Sequence, residues 1–238
     1  MEMTSIHYTY KFSFPTGREE PFQLQLDGRT LEPCDSLPAE LPDWTALEFN
    51  QCTECPLSRN DNVYCPLAAR LSPIVDQLSD ISSIDEVKVS VTMDGRLLSY
   101  STTAQEGIRS LMGVVIATSG CPVTAFFKPM ARFHLPFSSP EETFYRAASM
   151  YMLGQYYRWQ NNLSADMDMK GLLRFYAKVA SVNKGMADRI RANKREDGAI
   201  NAIVLLDMFV QGMPYELGEI LNDMQPLFAA YLEETNII

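Results

Sequence analysis

Residues 5–14 alternate strictly, with Ile6, Tyr8, Tyr10, Phe12 and Phe14 separated by single polar residues. A period of two predicts a strand with one buried face. Pro15-Thr16-Gly17-Arg18 supplies a turn, and Pro21 to Asp27 alternates again through Phe22, Leu24 and Leu26, so the chain opens with a predicted β-hairpin. Val87-Lys88-Val89-Ser90-Val91, the turn pair Asp94-Gly95 and the run Arg96 to Tyr100 predict a second hairpin. Leu47-Glu48-Phe49 adds a short candidate strand. Helical spacing appears in Leu67, Leu71, Ile74, Val75 and Leu78, and again from Thr103 through Ile108, Leu111, Met112 and Val115, with Gly120 placed as a C-terminal stop.

The period changes after the middle of the chain. Ser139-Pro140-Glu141-Glu142 reads as a capping box with proline at the first helical position. Phe144, Ala147, Ala148 and Tyr151 follow at helical spacing. Further helices are expected over about 167–181, 184–194, 197–211 and 215–233, with Pro214 separating the last two. The fold class is therefore α+β. An N-terminal antiparallel sheet of about four or five strands with two helices, residues 1–122, precedes an all-helical region, residues 123–238, packed with the first as one unit.

Composition narrows the class. The chain has 238 residues and a formal net charge of −10, with 46% hydrophobic and 21% charged residues, which suits a globular protein with a self-sufficient core. An acidic surface disfavours nucleic acid as a partner. The most basic stretch, Lys184 to Arg195, includes Arg189 and Arg191 and is broken by Asp188; it is expected to be a solvated helix face. No apolar run is long enough for a bilayer, and no secretory leader is visible at the N-terminus. These features predict a cytoplasmic protein without membrane attachment.

Five cysteines carry the candidate chemistry. Cys52 and Cys55 form a C-x-x-C, Cys65 follows, and Cys121 lies in Ser119-Gly120-Cys121-Pro122. Cys55, Cys65 and Cys121 each precede proline, which disfavours helical geometry at the cysteine. Extended on loops, four sulfurs can converge on one tetrahedral ion. The expectation is a structural zinc held by Cys52, Cys55, Cys65 and Cys121, in a protein that binds another macromolecule as an adaptor, with a protein partner or a second copy of itself. The alternative is an iron–sulfur or thiol redox enzyme using the same sulfurs, with His134 and Arg132 nearby. The thiol version is disfavoured by Glu54 inside the motif and by the missing βαβ context. Cys34 is a possible substitute ligand, more simply a free thiol.

Only two histidines are present. His7 is expected to be exposed on the outer face of the first strand. His134 can be a metal ligand or a general acid–base; the simpler expectation is a loop histidine bonded to backbone between phenylalanines. Lys128 and Arg132 are expected to pair with Glu141 and Glu142. No phosphate loop, dinucleotide glycine pattern or nucleophile elbow occurs.

Overall fold

The computed structural model describes residues 5–192 and 198–232. The expected helix ends at 193–194, 197 and 233, with Lys194 and Arg195, lie outside the described residues. Four strands form one antiparallel sheet: β1 (Ser5–Ser13), β2 (Glu19–Asp27), β3 (Glu86–Met93) and β4 (Arg96–Thr103), in the order β2-β1-β3-β4. Each hairpin comes from its predicted turn. Asp94 and Gly95 both take positive φ, 47° and 76°, as a two-residue hairpin of the primed type requires. Register aligns the buried positions across strands: Tyr10 faces Phe22 on one side and Val91 on the other, and Phe12 faces Val89.

Helices α1 (Pro66–Gln77) and α2 (Ala104–Thr118) cover the apolar side of the sheet. α2 comes close because position 107 is glycine: a Cβ there would meet the side chains of Phe12 and Val89 at 2.8 Å each. Gly120, with φ of 88°, turns the chain after α2 as expected. The fold is thus α+β, as the alternating and helical patterns predict.

One expected strand is absent. Leu47–Phe49 is turn, joined to the rest by an isolated bridge between Ala46 and Tyr64. Its physical reason is that the carbonyls of Trp44, Ala46 and Leu47 point at the Arg189 guanidinium, so they are not free to make a ladder.

The helical half consists of α3 (Lys128–Arg132), α4 (Pro140–Gln160), α5 (Lys170–Ala192), α6 (Gly198–Met224) and α7 (Ala229–Leu232). α4 begins with the predicted capping box: the Ser139 hydroxyl accepts from the Glu142 amide at 3.1 Å, and the Glu142 carboxylate accepts from the Ser139 amide at 2.8 Å. α5 is a single helix where two were expected, because Val182 and Met186 continue the buried stripe without a breaker. α6 runs straight through Pro214. An interior proline costs roughly 3 kcal/mol. Val210, Met213 and Leu217 are all buried around it, and each buried side chain contributes about 1.5–3 kcal/mol. Packing therefore outweighs the lost hydrogen bond.

The main core draws Tyr10, Phe12 and Val89 from the sheet, Ile108 and Met112 from α2, and Met186, Ile190 and Ile203 from α5 and α6. A second cluster, with Phe144, Tyr176, Val179, Val210 and Met213, is built within the helices. Among the described residues no helix is long and apolar enough to cross a membrane.

Candidate functional site

The four prominent cysteines do come to one place. Cys65 caps α1 in an extended conformation, with Pro66 at the first helical position. Cys52 and Cys55 share a turn closed by the Cys55 amide on the Cys52 carbonyl, 3.1 Å away. Together with Cys121 and Arg189 they border a cavity of about 20 Å³ beside α5. Gly185 lets this loop approach the helix, since a Cβ there would lie 3.3 Å from that of Cys52. Cys34 is exposed and takes no part.

This gathering is not a metal centre. Among the described residues no group of three or more His, Cys, Asp or Glu side chains is arranged to hold a metal ion. That finding overturns the expectation of an adaptor stabilised by a metal on four cysteines, and with it the iron–sulfur or redox enzyme on the same sulfurs. The state of the thiols fits the correction. Burial, reinforced by Cys55, Cys121 and Cys65, pushes the Cys52 thiol up to about 12, and burial raises Cys65 as well. The thiolate is the ligand and the nucleophile, so protonated sulfurs do neither job well. Cys52, Cys65 and Cys121 pack as small apolar groups on the edge of the main core.

Arg189 corrects a second expectation. It is 2% exposed, not on a solvated face. Its Nη1 donates to the carbonyls of Trp44 and Ala46, both at 2.7 Å, and its Nη2 to that of Leu47 at 2.8 Å. Burial lowers its pKa, and the nearby cysteines oppose that shift. Arg191 pairs outward with Asp188 at 3.1 Å.

His134 and Arg132 lie away from the sulfurs. Arg132 pairs with Asp94 at 3.1 Å, and Lys128 donates to the Thr30 carbonyl at 2.8 Å, in place of the expected pairing with Glu141 and Glu142. The hairpin turn and the residue-30 loop reach these cations first. His7 bonds to the Ser5 hydroxyl at 2.9 Å in an exposed position.

His134 instead borders a larger cavity, about 150 Å³, enclosed by α2, the segment around residues 127–138, and α4, α5 and α6. Its walls are apolar, with Ile116, Phe127, Val179, Leu206 and Phe209 among them. The polar groups on it are unbalanced in charge. Arg109 and Arg146 border it, and among the described residues no aspartate or glutamate does. Arg109 is neutralised by Glu106 at 2.6 Å. Arg146 forms no ion pair among the described residues; its Nη2 donates to the carbonyls of Met130, at 2.8 Å, and Phe133, at 3.0 Å. Glu142 is close enough to act on Arg146 electrostatically but is committed to the α4 cap.

A half-buried histidine and a buried tyrosine face this charge. His134 Nε2 hydrogen-bonds to the Tyr10 hydroxyl, which also reaches the Ser110 carbonyl at 3.2 Å. The expected backbone partner is thus replaced by a tyrosine from β1. Burial, then the Arg146 charge, lower His134 to about 3, so the ring is neutral at physiological pH. Tyr176 is 2% exposed, and burial raises its pKa. Its ring packs on Phe127 and Phe209, at 5.3 Å and 5.9 Å between centroids. Its hydroxyl makes no hydrogen bond among the described residues but is not a sealed orphan; the buried side-chain atoms left without a partner are Trp44 Nε1 and Thr103 Oγ1.

Sequence reasoning passed over Arg146, Tyr176 and Asn183 on this cavity. Only the position of Arg146 between buried Phe144 and Ala147 on α4 carries a local signal.

The profile of the family described as Domain of unknown function (DUF6901) matches residues 8–229, which begins within β1 and takes in the other three strands and the cavity. The chain belongs to this family. No curated protein and no solved structure matches it.

Proposed function

We propose that the protein binds a small organic molecule in the 150 Å³ cavity between α2, α4, α5 and α6. The observation that carries this reading is an apolar cavity bordered by buried Tyr176 and by Arg146, which forms no ion pair among the described residues. Binding sites are concave, mostly apolar and furnished with a few convergent polar groups. A void of this size accepts about one benzene ring. Five unpaired thiols support a reducing, cytoplasmic setting for this activity.

The test is a panel of one-ring compounds, acidic, neutral and basic, followed by amide chemical shifts and melting temperature. At least one class should move amides of Val179, Asn183 and Phe209, and Val179→Trp, which fills the void, should abolish that response. If no compound at millimolar concentration perturbs those amides, the cavity is only a packing defect.

A further inference from the structure

We infer that the ligand of this cavity is a small monocarboxylate, a single ring or short branched chain whose carboxylate accepts from the Arg146 guanidinium and the Tyr176 hydroxyl. The inference rests on the reading of the cavity as a ligand site and names what fills it.

Charge decides the class. The whole chain is acidic, with a net charge of −10, yet among the described residues this cavity carries two arginines and no acid on its walls. A cationic ligand would meet uncompensated positive charge. Arg109 is already spent on Glu106, which leaves Arg146 as the cation seeking an anion. Both protein bonds of Arg146 come from one nitrogen, Nη2, to backbone carbonyls. Its Nε and Nη1 face opposite sides of the guanidinium, so with Nη2 occupied an anion accepts a charge-assisted hydrogen bond from Nη1 alone.

The donor count sets the charge of the ligand. Arg146 and Tyr176 lie close enough to interact electrostatically. One guanidinium nitrogen and one hydroxyl serve the two oxygens of a single carboxylate. His134 adds no charge to this pair, because it is neutral and already bonded to Tyr10. Size sets the body. About 150 Å³ walled by Ile116, Phe127, Val179 and Phe209 holds a single ring.

Three probes of one shape separate the arms: benzoate, benzamide and toluene, titrated calorimetrically into the full chain at pH 7.5, with amide shifts as a second readout. Benzoate is expected to bind at least ten times more tightly than benzamide, and added salt should weaken it. Tyr176→Phe should weaken benzoate about tenfold and leave toluene unchanged. Arg146→Gln should erase the preference for benzoate; because Arg146 also holds two carbonyls, Tyr176→Phe serves if that variant does not fold. Toluene or benzamide binding as tightly as benzoate would overturn the carboxylate while leaving the cavity a ligand site. Failure of all three probes would overturn both.

Discussion

Replacing Arg189 by methionine would remove three hydrogen bonds at once and leave the carbonyls of Trp44, Ala46 and Leu47 buried without a donor. Each stranded buried acceptor costs about 1–3 kcal/mol, so Arg189→Met is expected to lower stability by roughly 3 kcal/mol in urea unfolding. Arg189→Lys should fall between, since an ammonium cannot span the three acceptors. His134 makes a pH prediction. Its folded pKa, about 3, lies below the ordinary 6.5. Between those values the unfolded chain binds a proton that the native protein excludes, so stability is present in full above 6.5 and is lost as pH falls toward 3. The urea midpoint should drop from pH 7 to pH 5, above the range where carboxylates titrate, and His134→Asn should flatten that drop. A midpoint equal at both pH values in the native chain would refute the assignment. Little of this was legible in the sequence. Cys52, Cys55, Cys65 and Cys121 border one small cavity without forming the expected cluster, and spacing cannot tell a coordination sphere from thiols packed at a core edge. Arg189 resembled its exposed neighbours Asp188 and Arg191 because a helix turns one residue inward beside two that point out.

At the scale of elements, what was readable was whatever is decided locally. Both hairpins follow from period-two alternation and from turn residues such as Asp94-Gly95, and α4 follows from its capping box. The misreadings have a tertiary cause. Leu47–Phe49 lost its strand to a guanidinium some 140 residues away in sequence (189 − 47 = 142). Pro214 argued locally for two helices, and burial on either side joined them. That conflict predicts a gain: Pro214 is exposed, so Pro214→Ala should restore a helical amide without disturbing the core. It is expected to raise stability by about 1–3 kcal/mol, measurable as a higher melting temperature. A fall in melting temperature would mean that proline's restriction of the unfolded chain outweighs the restored hydrogen bond.

For the molecule as a whole, the main core decides behaviour. Because it mixes β1 and β3 with α2, α5 and α6, neither half can expose its apolar face without the other. Far-ultraviolet and near-ultraviolet circular dichroism are expected to report one coincident thermal transition. Separate transitions would show that the helical cluster around Phe144 and Met213 holds together alone. Arg189 has a last consequence for the long connector between β2 and α1. Trypsin has an open target in Arg59, whose side chain is 72% exposed. A cut there leaves a short piece carrying β1, β2 and the Trp44–Leu47 carbonyls, still clasped by the longer piece through the sheet and the guanidinium. The nicked protein should therefore travel as an intact particle in gel filtration, and its two fragments should part only in denaturant.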